Sequence, residues 1–194
     1  MNYREKLSDR ERDIDLKPFL REDIEKAIDW IPSPEFSVYM QNNDSDDKAR
    51  RQFFEKRIVQ GNLGSSANLL FKVLDANTNQ VIGYCDLSNI DEVNRSAELS
   101  HVVVGPLHLR GLGLDSKIIF SLMRIAFQVL QLNRLYVRIL NFDQNSITLY
   151  KSLGFQEEGN FPESFKHQDK YWDLKQLAIV KSQWDQLHNT PSLN

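Results

Sequence analysis

The feature that most constrains this chain is a glycine-rich segment between an apolar strand and a long amphipathic helix. Three of the eight glycines fall within nine residues, at Gly105, Gly111 and Gly113. Residues 102–104 are all valine and indicate a strand buried on both faces. After Gly113 the apolar residues recur at helical spacing, and one stripe contains Ile119, Leu122, Met123, Ala126 and Val129. Glycine lets backbone N–H groups approach an anion, and a helix N-terminus adds partial positive charge, so the segment is a candidate phosphate site.

The local charge favours a polyphosphate ligand. Residues 99–142 contain five Lys or Arg and one acidic residue, Asp115, in a chain whose net charge is −3. Two common phosphate-binding patterns do not match. Gly105 and Gly111 are separated by five residues where a P-loop needs four, and Ser116 stands where a dinucleotide motif needs its third glycine. From the loop alone, a strand-to-helix turn that binds no ligand is as good an interpretation as a phosphate site.

Length and composition indicate one globular domain with a packed core. The chain has 194 residues, of which 41% are hydrophobic and 26% charged. Its 27 acidic and 24 basic residues argue against a dedicated nucleic-acid or membrane-surface protein. A single cysteine, Cys85, excludes an internal disulfide and a multi-cysteine metal site. Because no apolar run approaches the roughly 18 residues of a membrane span, we expect a soluble, cytoplasmic protein without a secretory signal.

The order of the predicted elements indicates an α/β fold of the α+β type. We expect strands at 14–19, 69–74, 80–90, 97–104, 135–140 and 171–180, with one more just after Phe155. We expect helices at 21–30, 46–60, after Gly113 and at 144–153. Hairpins followed by strand–helix alternation predict a mixed, mostly antiparallel sheet of about six or seven strands with helices on both faces. One domain is expected over residues 1–185, followed by a frayed tail at 186–194.

A second motif identifies a family resemblance. Asp143 is placed to cap a helix that contains Ser146 and Tyr150 and stops at Gly154. This helix, together with Arg-Gly-Leu-Gly-Leu-Asp at 110–115, resembles the acyl-CoA loop and the following motif of the GNAT N-acetyltransferases. Val-Ile-Gly at 81–83 and Ser-Ala-Glu-Leu at 96–99 also resemble strands of that family. The stretch from Gly154 to Trp184 is similar to the RimJ/RimL-like branch, which acts on protein amino termini and related amines.

The resemblance implies the GNAT fold and acetyl-CoA as co-substrate. Strand backbone groups would contact the pantetheine, and loop N–H groups would hold the pyrophosphate. The implied cofactor-binding residues are Val102, Val103, Val104, Arg110, Gly111, Leu112, Gly113, Leu114, Asp115, Asp143 and Ser146. Two of them depart from the family pattern. Asp115 replaces a more usual Gly or Ala and can instead favour the first turn of the helix, while Asp143 replaces a usual Asn and is equivalent to it as a cap.

The resemblance also implies two catalytic residues. Tyr150 matches the tyrosine that protonates the departing CoA thiolate. Glu98 matches a glutamate that some family members use, directly or through water, to accept the amine proton, and an ion pair on the strand is an equally good interpretation of it. His101 shares that strand but ranks below Glu98, because strand alternation turns it to the opposite face unless a bulge intervenes. The implied reaction is a direct transfer, with no covalent enzyme intermediate and no metal.

The acceptor site is the least defined part of the sequence. Aromatic residues in and after the first helix could line it, as could residues of the last strand. The candidate substrate-binding residues are Trp30, Tyr171 and Asp173, with Phe36 and Tyr39 near the first of these. Asp173 could hold a cationic substrate or pair with Lys175.

The leading functional hypothesis is N-acetylation of a primary amine, most simply a protein or peptide amino terminus. A nucleotide-linked amino sugar or another small amine is the alternative acceptor. A CoA-binding or regulatory protein without turnover is the alternative from another class, allowed by Asp115 and Asp143. The expected partners are acetyl-CoA and the amine, with no nucleic acid and no membrane, and the chain is expected to be a monomer or a homodimer.

Overall fold

The computed structural model describes residues 14–30, 47–62, 68–167 and 169–188. Within these ranges the strands are β1 (Ile14–Pro18), β2 (Asn68–Asp75), β3 (Val81–Asp91), β4 (Ser96–Val104), β5 (Arg134–Leu140), β6 (Gln156–His167) and β7 (Lys170–Val180). They form one sheet in the order β1-β2-β3-β4-β5-β7-β6. The β4–β5 pair is parallel, and the β1–β2, β5–β7 and β6–β7 pairs are antiparallel. The predicted mixed, mostly antiparallel sheet is confirmed, and β6 is the additional strand expected after Phe155.

The helices within the described ranges are α1 (Ile24–Ile28), α2 (Asp47–Asn62), α3 (Leu114–Arg124), α4 (Gln144–Ser152) and α5 (Lys181–His188). A 3-10 turn at Arg21–Asp23 precedes α1, and another at Leu107–Leu109 lies between β4 and α3. None of these helices is both long enough and apolar enough to cross a membrane.

Two sequence predictions about helices were wrong. Val129 does not continue the buried stripe of α3 and is 72% exposed, because the chain forms a π-helical turn at Ile125–Val129 that shifts the helical register. The first residues of the frayed tail expected at 186–194 belong to the helix α5, which continues as far as His188. Trp184 is 1% exposed there and stacks on Phe127 at 5.6 Å between ring centroids, so burial of the indole stabilises the helix.

The described residues form two compact units. The N-terminal unit comprises the residues up to Asp86 together with His101–Ser121, and the C-terminal unit comprises Leu87–Ser100 and the residues from Leu122 onward. The core of the N-terminal unit contains Phe19, Ile24, Ala27, Ile28, Trp30, Phe54, Leu70, Tyr84 and Val103. The core of the C-terminal unit includes Phe127, Leu135, Leu177, Ile179 and Trp184. The single domain expected over residues 1–185 stays a prediction.

Candidate active site

The loop between β4 and α3 has two left-handed residues directly before the helix. Gly111 and Gly113 have φ angles of 74° and 78°, which other residues adopt only with strain. A Cβ atom on Gly111 would meet no atom within 4 Å, so the space beside it is open. Leu114, the first residue of α3, is 1% exposed and anchors the helix in the core. This arrangement presents backbone N–H groups at a helix N-terminus, which suits a phosphate group.

The side chains of the loop brace its backbone. The Arg110 guanidinium donates hydrogen bonds to the carbonyl oxygens of Val104, at 3.0 Å, and Gly105, at 2.9 Å. The Ser116 hydroxyl donates to the carbonyl of Gly113 at 2.7 Å. Asp115 lies in the first turn of α3, where the helix dipole favours a negative charge. Arg110 therefore links the end of β4 to the loop through charge-assisted hydrogen bonds.

Close backbone packing surrounds the strand that enters the loop. Val103 is buried, and a Cβ atom on Gly83 would lie 2.2 Å from its carbonyl oxygen, so only glycine fits beside it. The N–H of Gly105 donates to the carbonyl of Ile82 at 2.8 Å. Val102 and Val104 are half-buried.

Trp30 lies against this strand in the N-terminal unit. A Cβ atom on Gly105 would be 2.3 Å from the indole of Trp30, so the ring covers that glycine closely. Trp30 belongs to the hydrophobic core, and Lys26 places its ammonium 5.9 Å from the ring centroid. The other aromatic candidates near it, Phe36 and Tyr39, lie outside the described residues.

In the C-terminal unit, Tyr150 lies on the capped helix α4 and is buried. The predicted cap is confirmed: Asp143 accepts a hydrogen bond from the backbone N–H of Ser146 at 3.0 Å and another from its hydroxyl at 2.7 Å. The helix is followed by Gly154, with a φ angle of 96°. Tyr150 is 7% exposed, and its ring packs edge to face on Phe155 at 5.2 Å.

Glu98, the predicted base, lies in an ion pair. Its two oxygens accept hydrogen bonds from Nε and Nη2 of Arg138 at 2.8 and 2.7 Å, and Oε2 also accepts one from Asn89 at 2.7 Å. The hydrogen bonds from Arg138 to Glu98 raise the pKa of Arg138. A carboxylate has about four lone-pair sites, so Glu98 has about one left for a further proton donor. The ion pair expected as one interpretation of Glu98 is present in the structure, and its role as a base stays a prediction.

The N-terminal unit contains a buried charged cluster of Asp86, His101 and Arg57, which was not predicted from the sequence. The Asp86 side chain, with no exposed surface, accepts hydrogen bonds from the backbone N–H of His101 at 2.8 Å and lies 2.9 Å from its Nδ1. The other carboxylate oxygen accepts a hydrogen bond from Nε of Arg57 at 3.0 Å. Burial alone would raise the pKa of Asp86, but His101 and Arg57 outweigh it and hold the pKa below its ordinary value. The alternation of β3 and β4 was visible in the sequence, but the strand register that joins residues 15 positions apart was not.

The remaining substrate candidates lie on β7. Asp173 accepts hydrogen bonds from the backbone N–H of Glu163 at 2.9 Å and from Asn160 at 3.1 Å, which lower its pKa. The alternative pairing of Asp173 with Lys175 is wrong, because Lys175 reaches across to Glu157 on β6. Tyr171 is 58% exposed. Among the described residues, no group of three or more His, Cys, Asp or Glu could hold a metal ion.

Comparisons with known proteins identify the family. The sequence profile of the acetyltransferase (GNAT) domain matches residues 13–156. A spermidine N(1)-acetyltransferase from Vibrio cholerae is 31% identical over 119 residues, which are 61% of this chain and 67% of that protein. The spermidine N(1)-acetyltransferase of Escherichia coli K12 is 26% identical over 188 residues, 92% of this chain and 91% of the relative.

A solved structure supports the same fold. The crystal structure of spermidine N-acetyltransferase from Vibrio cholerae, in complex with CoA and spermine, superposes with a TM-score of 0.75 at 23% identity, covering 88% of this chain and 97% of that one. The predicted GNAT fold is thereby confirmed, whereas the RimJ/RimL-like branch stays a prediction. The chain belongs to the GNAT acetyltransferases and is an acetyl-CoA-dependent N-acetyltransferase.

Proposed function

We propose that this enzyme transfers the acetyl group of acetyl-CoA to a primary amine of a small polyamine, with spermidine as the type of acceptor. The observation that carries the acceptor class is the similarity to two spermidine N(1)-acetyltransferases, one of which aligns over 92% of this chain. The net charge of −3 is compatible with a cationic acceptor. This acceptor replaces the protein amino terminus that the sequence favoured.

On the donor side, we assign the pyrophosphate of acetyl-CoA to the backbone N–H groups at residues 110–115. The support is the pair of left-handed glycines, the open space beside Gly111 and the N-terminus of α3. The pantetheine arm is assigned to the backbone of Val102, Val103 and Val104. Because these contacts use the backbone, they do not need a basic side chain at Leu112, where the family usually has lysine, and Arg110 contributes by bracing the loop.

On the leaving-group side, we assign Tyr150 as the acid that protonates the CoA thiolate. A phenol retains its proton at neutral pH and can donate it to a developing thiolate. The cap at Asp143 and the packing on Phe155 restrict the orientation of the ring. Asp143 and Ser146 bond to each other, so their contribution to cofactor binding is to fix the start of α4.

The test is a thiol-release assay with several amines at one concentration. The acceptors are spermidine, spermine, a peptide with a free amino terminus and a nucleotide-linked amino sugar. The proposal predicts that kcat/KM for a polyamine exceeds that for the other two by at least tenfold, on the order of one well-made binding interaction. Turnover of the peptide or the amino sugar without turnover of either polyamine would contradict the acceptor class.

A second assay separates the acceptor from the donor. Acetyl-CoA that binds only the folded protein stabilises it by about 2.7 kcal/mol at a hundredfold excess over Kd. We expect acetyl-CoA and CoA to raise Tm, while NAD and ATP do not. We expect Tyr150→Phe to lower kcat and retain the shift. A variant with unchanged kcat would remove Tyr150 from the mechanism and leave the acceptor class in place.

A further inference from the structure

We propose that His101 is the general base that takes the proton from the acceptor amine, and that Asp86 is its positioning residue. The proposal rests on the amine acceptor of the proposed function. His101 immediately precedes Val102, the first residue assigned to the pantetheine arm, and both lie in the N-terminal unit on β4. The proposed base therefore lies on the same strand as the residues assigned to the pantetheine arm of acetyl-CoA.

The hydrogen bonds of Asp86 select one tautomer of His101. One oxygen of Asp86 lies 2.9 Å from Nδ1 of His101 and accepts the backbone N–H of the same residue, while the other accepts Nε of Arg57. An ionised carboxylate only accepts hydrogen bonds, so Nδ1 must carry the hydrogen. The lone pair of the neutral imidazole is then on Nε2, which is the arrangement a base requires.

Nε2 is the ring nitrogen of His101 that is left for the acceptor amine. Within the described part of the chain, the hydrogen bonds of His101 to Asp86 use its backbone N–H and Nδ1, and Nε2 makes none. The His101 side chain as a whole is 9% exposed, and its ring packs edge to face on Phe53 at 5.4 Å. A mostly buried imidazole whose Nε2 makes no hydrogen bond to the described residues can accept a proton from a small amine.

The charged and titratable neighbours of His101 keep Asp86 ionised. Arg57 of α2 provides the positive charge on the far oxygen of the carboxylate. From β3, Tyr84 and Cys85 have pKa values raised chiefly by burial and further by the charge of Asp86, so both remain neutral. Asp86 therefore stabilises the imidazolium that forms when His101 accepts a proton.

The proton balance of the reaction closes with these residues. An ammonium acceptor loses one proton to Nε2 of His101, and the resulting lone pair attacks the thioester carbonyl to form the C–N bond. As the tetrahedral intermediate collapses, the C–S bond breaks with its electron pair on sulfur, and the thiolate takes a proton from Tyr150. The nitrogen loses a second proton, which restores the tyrosine through solvent, and His101 returns its proton to solvent. The net change is ammonium plus acetyl-CoA to amide, CoA thiol and one proton.

The deciding experiment compares His101→Asn with wild type, using whichever amine the acceptor assay identifies. The asparagine amide can still donate to Asp86 but cannot act as a base. We expect kcat/KM at pH 7 to fall by about 10²–10⁴-fold, with the Tm shift by acetyl-CoA unchanged. We expect log kcat/KM of the variant to rise by about one for each pH unit between 7 and 9, because it needs an amine already deprotonated, with a pKa of about 10. The control is His108→Asn, an exposed position, for which we expect the wild-type profile.

A measurement that uses no acceptor keeps the proposal separate from the proposed function. Nitrogen-15 NMR of the imidazoles should show His101 as the Nδ1–H tautomer when it is neutral. An Nε2–H tautomer would overturn the proposal, as would a His101→Asn variant that keeps the wild-type rate and pH profile. The two proposals can also be separated by their results. If no polyamine is acetylated, but His101 is the Nδ1–H tautomer and His101→Asn shows the expected pH effect with another amine, polyamines are excluded as the acceptor and the role of His101 as the base is supported.

Discussion

The two buried carboxylates on β3 and β4 have similar partners and different capacities for proton transfer. In the C-terminal unit, Glu98 accepts three hydrogen bonds from Arg138 and Asn89, all from groups that never accept a proton at neutral pH. In the N-terminal unit, Asp86 is also paired with an arginine, but its second partner is the imidazole of His101. The two clusters differ in their third member: the amide of Asn89 completes the ion pair of Glu98, whereas the imidazole of His101 adds to Asp86 a group that is able to accept a proton.

The largest effect on stability is expected from Asp86→Asn. The change leaves Arg57 without its anionic partner in a mostly buried position, and breaking such a pair costs about 3 kcal/mol. It also permits the wrong tautomer of His101, so we expect kcat/KM to fall by more than tenfold. Urea unfolding and steady-state kinetics measure the two effects.

The matched control for Asp86→Asn is Asp15→Asn, at an exposed position on β1, where stability should change by no more than about 0.5 kcal/mol. If Asp86→Asn were as stable and as active as this control, the cluster would have no role in either property.

Glu98→Gln should have a smaller effect. The glutamine keeps one oxygen acceptor for Arg138, whose side chain is 44% exposed, so we expect a loss of about 1 kcal/mol after allowance for solvent screening. We expect kcat/KM to fall less than tenfold, with the pH profile unchanged. A fall in kcat/KM of more than a hundredfold would indicate that Glu98 is the base. The Glu98 and Asp86 clusters would then not differ in their capacity for proton transfer as we expect.

The stability contributed by the Asp86 cluster should depend on pH. Folding lowers the pKa of Asp86 below the value of about 3.9 for an unfolded chain. The unfolded state therefore binds more protons between these two pKa values, so this stabilisation is complete above about pH 5 and is lost as the pH falls through the folded pKa. We expect the stability of wild type to fall more steeply below pH 4 than that of Asp86→Asn, measured by urea unfolding at successive pH values. Parallel curves would contradict the lowered pKa.

The smallest effect is expected from an exposed cluster. Hydrogen bonds from Lys151 and Lys175 lower the pKa of Glu157 to about 2, but the carboxylate is on the surface. Because salt screens exposed charges, Glu157→Gln should shift Tm less than Glu98→Gln, and 1 M NaCl should remove the difference from wild type. A Tm loss that persists in high salt would show that exposure does not separate this cluster from the buried ones.

Local signals predicted much of the fold and of the loop. The strands β2, β3, β4, β5 and β7 were predicted to within about one residue at each end, because apolar alternation and turn residues bound them in the sequence. The cap at Asp143 and the glycine turn at Gly111 and Gly113 were also predictable, since both depend on neighbouring residues.

What the sequence did not predict depends on contacts between distant residues. The exposure of Val129 follows from a π-helical turn that no residue type specifies, and α5 depends on the packing of Trp184 on Phe127. The cluster of Asp86, His101 and Arg57 joins residues of three elements. Strand alternation placed His101 below Glu98 as a candidate base. Alternation predicts only the face of the sheet that a side chain takes, and not the residues that it contacts there.

The most direct test of the comparison is the pH dependence of kcat/KM for Glu98→Gln and His101→Asn, measured in parallel with one amine. We expect Glu98→Gln to follow the wild-type curve at a somewhat lower level, while His101→Asn is strongly impaired at pH 7 and recovers about tenfold for each pH unit. The reverse pattern, with Glu98→Gln recovering at high pH and His101→Asn following wild type, would contradict the account and assign the proton to Glu98.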